Sequence, residues 1–228
     1  DDFASPAAGS DGTPTWDPQT AGWEIADGAY VGDSGMSLWR AVPLGSSVTF
    51  ACDLTVLEQL RGDWLTAGIG LGIDEDNFWA VNLIVSPETR GRRRAAEMHE
   101  SLGGHWLAES LPESRLAHRP SHGGGLDWQL NKTYRLEIRL TGDEVVGRVS
   151  DAGKEVARFG FGLARGVPAV RVGRPLLRAS GLRVRFANAT VTVDRTAPEP
   201  ETPRPTFPAW TSRPGKPVAR ATGFFRAV

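Results

Sequence analysis

Glu97 and His99, in the run Glu97-Met98-His99-Glu100, together with Glu109 further along, have the residue types and spacing for acid–base chemistry. Successive side chains of a strand point to opposite faces, so Glu97 and His99 share one face while Met98 and Glu100 take the other. Glu97 and Glu100 therefore cannot form a carboxylate pair. Across a hairpin turned at Gly103-Gly104, however, Glu97, His99 and Glu109 can line one cleft as acid–base groups. Ordinary polar residues on an exposed sheet face account for the pattern equally well.

The same stretch can do something that asks less of its geometry. A flat aromatic beside hydrogen-bonding groups complements the apolar CH face of a sugar ring. Trp79, Trp106 and Trp128 are the candidate platforms, with His99, His105, Glu97 and Glu109 as polar neighbours. Tryptophan also fills sandwich cores, and Trp16, Trp23 and Trp39 are assigned to structure.

The turn Asp74-Glu75-Asp76-Asn77 offers oxygens for a hard cation, with Asp74, Asp76 and Asn77 as candidate calcium ligands. It lacks the glycine and distal glutamate of a loop site, and a solvated hairpin tip is the other reading. No other cofactor or metal is expected. Arg90-Gly91-Arg92-Arg93-Arg94 can meet an acidic glycan or a neighbouring domain, or be a charged loop tip. His118 and His122 lack the further ligand a zinc site needs. Asn131-Lys132-Thr133 and Asn188-Ala189-Thr190 match a short glycosylation pattern.

The elements that must position these groups read as strands. Residues 67–85 are the most apolar stretch, and about 20 apolar residues would suffice to cross a bilayer. Asp74, Glu75 and Asp76 interrupt them, and three carboxylates at bilayer depth would cost several kcal/mol. What remains is a hairpin: Ala67, Ile69, Leu71 and Ile73 alternate with Gly68, Gly70 and Gly72, a period of two. Three glycines on one face imply a bulky neighbour against that face, with nearby tryptophans as the expected occupants.

Other strands are expected over 23–31 (turning at Asp27-Gly28), 47–57, 95–101, 106–111, 133–140, 144–150, 155–161, 167–172 and 182–194. Weak helical patches fall at 57–61 and 176–180. Turn signals every eight to twelve residues place the strands in an all-β, two-sheet antiparallel sandwich. Cys52 alternates with Val48, Phe50, Leu54 and Val56, so it is expected buried and inert.

With 228 residues and 40% hydrophobic content the chain can bury a real core. Its net charge of −1 argues against a general nucleic-acid binder, and neither nucleic acid nor membrane is an expected partner. A single cysteine rules out an internal disulfide. Seven of the 16 prolines lie between residues 197 and 218, which suits an extended connector. The opening Asp1-Asp2-Phe3 is what signal-peptide removal would leave.

Taken in order, "DDF", "GWEIADGAYVG", "AGIGLGIDEDNFWAVNL", "WQLNKTYRLEIRLTGDEVVGRVSDAGKEV" and "FANATVTV" resemble the concanavalin A-like (laminin G-like) jelly-roll superfamily. More narrowly, they are similar to sandwich domains attached to secreted bacterial glycoside hydrolases. The resemblance spans residues 1–194. It implies a jelly-roll sandwich, a proline-rich linker over 195–220, and at 221–228 a possible start of a following catalytic domain. "TGFFR", residues 222–226, resembles the lead-in to a (β/α)8 domain in agarase-like enzymes.

The implied function is a noncatalytic, carbohydrate-binding accessory domain, secreted or at a bacterial cell surface. Its implied partners are a polysaccharide or oligosaccharide and a C-terminal catalytic barrel. The alternatives are an enzyme in its own right, of sandwich-glycosidase or 3-keto-disaccharide hydrolase type, or a structural domain packed on a partner. The Glu-x-Asp-x-x-Glu signature of catalytic relatives does not occur. Where relatives often carry Phe-Asp-Asn, this chain has Phe186-Ala187-Asn188, so no role of that aspartate carries over.

Overall fold

Strong period-two patterning builds nearly every element of the computed structural model, which describes residues 3, 7–91, 93–108, 117–118, 122 and 125–198. The strands are β1 (Trp16–Pro18), β2 (Trp23–Ala26), β3 (Ala29–Gly32), β4 (Met36–Trp39), β5 (Gly45–Gln59), β6 (Leu65–Gly72), β7 (Phe78–Val85), β8 (Arg94–Leu102), β9 (His105–Ala108), β10 (Ala117–His118), β11 (Thr133–Leu140), β12 (Glu144–Asp151), β13 (Lys154–Gly162), β14 (Arg174–Ser180) and β15 (Leu182–Thr196). A single 3-10 turn, Glu88–Arg90, is the helical element among the described residues.

Two antiparallel sheets result. The seven-stranded sheet runs β1-β4-β14-β6-β7-β8-β9, and the eight-stranded sheet runs β10-β13-β12-β11-β5-β15-β3-β2. β14 lies between β4 and β6, and β15 between β5 and β3, so the chain crosses between sheets as a jelly roll does rather than meandering within one. The expected architecture is present. No helix among the described residues is long and apolar enough to cross a membrane.

The inner faces make one core. Val48, Phe50, Cys52, Leu54 and Val56 of β5 meet Leu65, Ala67, Ile69 and Leu71 of β6 and Trp79, Val81, Leu83 and Val85 of β7. Each large aliphatic or aromatic group so buried contributes about 1.5–3 kcal/mol. Cys52 is fully enclosed, and burial pushes its thiol up to about 12.

The outer face of the seven-stranded sheet has a smaller apolar cluster of Met36, Leu38, Phe78, Ala80 and Leu176. Here the glycines of β6 find their purpose. A Cβ on Gly68 would collide with the Asn82 side chain and the Val81 carbonyl, and one on Gly70 would reach Leu176 Cδ1 at 2.9 Å. A Cβ on Gly72 would press on Phe78. Asn82, Leu176 and Phe78 fill the space, where tryptophans were expected.

Three further expectations are corrected. Residues 176–180 belong to strand β14, not a helix, and residues 57–59 close β5. Residues 167–172 form no strand, and Arg171 within them instead turns its guanidinium back on the loop that follows β13. The Arg171 guanidinium donates to the carbonyls of Leu163 (3.0 Å), Ala164 (2.6 Å) and Val167 (3.1 Å). β15 continues to Thr196, two residues into the expected linker, and residues 199–228, with the rest of that linker and the 221–228 segment, lie outside the described residues.

In β15 the register shifts between Ala187 and Thr190, and Asn188 takes φ 51°. Asparagine tolerates that left-handed geometry. Its amide donates to Asp53 Oδ2 at 2.7 Å. This outer face of the eight-stranded sheet is laced with ion pairs: Arg135–Asp53 (3.0 Å), Arg139–Glu144 (2.8 Å), Arg148–Glu137 (2.9 Å) and Arg183–Glu24 (3.0 Å).

Candidate functional site

β8 and β9 turn at Gly103 and Gly104, with φ 59° and 77°. Both values lie in the left-handed region that a two-residue hairpin needs and that glycine adopts without strain. The turn is braced from the neighbouring loop. Gly103 N–H donates to Asn77 Oδ1 at 2.9 Å, Gly104 N–H to Asp76 O at 2.9 Å, and Ser101 Oγ to Asp76 O at 2.9 Å.

The candidate calcium ligands therefore serve the hairpin. Asp74 Oδ1 likewise accepts from Asp76 N–H (2.9 Å) and Asn77 Nδ2 (3.0 Å). No group of three or more acidic, His or Cys side chains among the described residues converges as a metal site would require.

The braced hairpin pairs Ser101 with Trp106 and sends both side chains to the outer face of the seven-stranded sheet. Trp106 leans back over β8. Its indole stacks on the His99 imidazole, with ring centroids 3.6 Å apart and planes 13° apart. The Arg178 guanidinium, from β14, lies 4.3 Å from the Trp106 centroid and 5.4 Å from that of Phe78. Trp106 is 39% exposed, so with one face laid on His99 and Arg178 the remainder of the indole meets solvent.

Beneath the indole, His99 is fully buried. Arg178 Nη1 lies 3.0 Å from Nε2, and because a guanidinium can only donate, Nε2 accepts. The imidazole proton is then on Nδ1, which is 3.0 Å from the Asn82 carboxamide. The two ends of a carboxamide are alike in shape, and Asn82 Oδ1 is otherwise buried without a partner. We assign Oδ1 as the acceptor of the Nδ1 proton.

Burial first, and the charge of Arg178 second, hold His99 well below its ordinary pKa. Burial also lowers Arg178 to about 10, while the charge of Glu97 opposes that shift. The half-buried Glu97 thus stands within the field of the guanidinium on the same face.

The expected site residues separate accordingly. Glu97, His99 and Trp106 come together on one face. Glu109 lies outside the described residues. His105 is exposed but next to Trp106 in β9, so it points to the opposite face.

Trp79 and Trp128 are corrected: neither is a platform. Trp79, 1% exposed, donates its indole N–H to Val170 O (3.0 Å) and packs on Phe161. Trp128, fully buried, donates to Ile84 O (2.9 Å). In each case the indole buries its apolar surface and still satisfies its single donor. Trp16, Trp23 and Trp39 are buried as expected.

Sequence reasoning missed Arg178, Phe78 and Asn82. The signal for Arg178 was present: Arg174, Leu176 and Arg178 alternate with Pro175, Leu177 and Ala179, a period of two in a patch read as helical.

Chemically, this surface offers a flat apolar face, a fixed guanidinium and a neighbouring carboxylate. It gives no support to acid–base work through His99, whose nitrogens are both engaged and whose ring is sealed beneath Trp106.

No protein-family model matches the chain, and neither does any curated protein sequence. Solved structures do share its fold. The carbohydrate-binding module CBM66 from Bacillus subtilis superposes with a TM-score of 0.55 over 78% of this chain and 94% of its own, at 16% identity. The GH43 protein BlXynB from Bacillus licheniformis gives 0.55 over 85% of this chain at 13% identity. The Bacteroides ovatus xyloglucan PUL GH43B gives 0.51 over 85% at 14% identity. The match covers 39% and 38% of those two GH43 chains, respectively. At such identities the likeness establishes the fold alone, a jelly-roll sandwich of concanavalin A-like form.

Proposed function

We propose that this chain is a noncatalytic carbohydrate-binding sandwich domain that reads sugar on the outer face of its seven-stranded sheet. One observation carries the reading: Trp106 is held flat and half in solvent over the His99–Arg178 pair, with Glu97 alongside. A sugar ring stacks its CH face on the indole while its hydroxyls hydrogen-bond to the guanidinium and carboxylate at the edge. Because His99, Phe78 and Arg178 fix the indole beforehand, little ordering entropy is lost on binding.

The likeness to a carbohydrate-binding module and to GH43 sandwich regions supports this class of function. The finer reading is an accessory domain of a secreted bacterial glycoside hydrolase, joined through the proline-rich segment to a (β/α)8 catalytic domain. Reading the coding sequence beyond Val228 tests that part, and a continuation without barrel-like sequence removes it.

Binding itself is tested on a panel of neutral polysaccharides by affinity electrophoresis and calorimetry. Trp106→Ala is expected to weaken binding tenfold or more, and Arg178→Gln to weaken it as well. Retention of Trp106→Ala equal to wild type on every ligand that the wild type binds, or no binding to any of them, removes the platform.

A further inference from the structure

A second indole stands in solvent at the far end of the same strands. Trp64 is 37% exposed, as is Leu60 on the same turn between β5 and β6. Leu65 pairs with Val85, and Val85 with Arg94, so this turn sits beside the loop between β7 and β8. Phe78, next to the Trp106 site, and Val85, next to Trp64, are the two ends of β7. At about 3.4 Å per residue they are roughly 24 Å apart, so the two indoles do not share a site.

The β7–β8 loop is built rather than loose. Ser86 N–H donates to Arg93 O at 2.9 Å, and Arg93 N–H donates to Ser86 Oγ at 2.8 Å, closing its neck. Its middle is the 3-10 turn Glu88–Arg90. So held, Arg90 places its guanidinium 5.6 Å from the Trp64 centroid.

Charge sets this rim apart. On the eight-stranded sheet Arg135, Arg139, Arg148 and Arg183 each face a carboxylate. Arg61, Arg90 and Arg93 are exposed, and none is ion-paired to a carboxylate among the described residues. Asp63 and Glu88 are the acidic groups on these two turns, against the cations Arg61, Arg90 and Arg93. The rim is therefore net positive on a chain whose overall charge is −1.

We infer that the Trp64 rim is a second binding site, for acidic polysaccharide of the uronate class. A uronate keeps the CH face that stacks on an indole and adds a ring carboxylate that a guanidinium grips through two parallel hydrogen bonds. An indole bordered by guanidinium groups matches both features. Neutral sugars would leave the cations unmatched, and Lys/Arg-only polyanion recognition would have no use for Trp64.

The test is affinity electrophoresis and calorimetry of the full chain with polygalacturonate. Wild type is expected to be retarded at low salt and released in 1 M NaCl, where the screening length is about 3 Å. Trp64→Ala and the double variant Arg90→Gln/Arg93→Gln should each lose tenfold or more in affinity, while Trp106→Ala stays retarded. All these positions are exposed, so the variants are expected to fold. The inference is overturned if wild type is not retarded, or if both rim variants bind as wild type does. It is equally overturned if duplex DNA or anionic lipid vesicles bind as tightly as polygalacturonate through the same residues. Neutral-glycan binding that depends on Trp106 but not Trp64 is read separately, so either site can fail alone.

Discussion

Acid should destabilise this fold through one imidazole. Unfolded, His99 takes up a proton near pH 6.5. Folded, it is sealed under Trp106 with Arg178 at Nε2, and it remains neutral well below that pH. The charged groups that face it are Arg178 from β14 and, through that guanidinium, Glu97 from its own strand, while β7 and β9 present Asn82, Phe78 and Trp106.

As the pH falls through 6.5 the unfolded state gains a proton that the native state refuses. Stability therefore drops, with a slope approaching ~1.4 kcal/mol per pH unit. Between pH 6.5 and 5.0 most carboxylates are still ionised, so the loss in that window approaches about 2 kcal/mol. With a urea m-value of about 1–3 kcal/mol/M, the midpoint should fall by roughly 0.7–2 M.

Urea titrations followed by near-UV circular dichroism at pH 7.5, 6.5, 5.75 and 5.0 read this directly, with His99→Gln as the comparison. The variant should be less stable at pH 7.5 and should lose most of the slope. A wild-type midpoint that stays flat from 6.5 to 5.0, or an equal slope in His99→Gln, would refute the buried neutral imidazole.

Trp79→Ala should destabilise by about 3–5 kcal/mol, as removal of a buried aromatic does, whereas Trp106→Ala should cost much less because its indole is half in solvent; thermal melts of the two variants side by side decide this. Gly68→Ala forces a Cβ onto Asn82 and the Val81 carbonyl; a loss of 1–3 kcal/mol, with weaker glycan binding as His99 and Trp106 shift, is expected, and unchanged binding would separate that glycine from the site. Cys52, raised to about 12 by burial, should resist thiol reagents in the native state, and its contribution should fade above pH 9 as the unfolded thiol ionises, read from the urea midpoint between pH 8 and 10. Because the Asp76 carbonyl and Asn77 Oδ1 already accept from the hairpin and Asp74 Oδ1 from its own turn, a chelator should leave the melting temperature unchanged, and a rise on adding calcium would restore the metal reading.

Much of the sandwich was legible because burial on one face imposes a period of two. Residues 133–140 and the hairpin at 67–85 show it plainly. Patterning failed where tertiary contacts override local preference. Residues 176–180 suit a helix locally, yet pairing with Thr66 to Gly70 holds them in β14. Residues 167–172 suit a strand, yet they belong to none, and Arg171 is held instead by the carbonyls of Leu163, Ala164 and Val167.

By itself the sequence determined that the chain alternates, that it turns at pairs such as Asp27-Gly28 and Gly103-Gly104, and that Glu97 and His99 share a face. These follow from backbone geometry, which acts between neighbours along the chain. Only the tertiary structure decided which tryptophans meet solvent, because exposure depends on what the opposite sheet and distant loops bring to each indole. Val170 covers Trp79 from ninety-one residues away. Arg178 reaches His99 from seventy-nine residues away and, with it, forms the floor on which Trp106 rests. No spacing within one strand encodes a contact of that range.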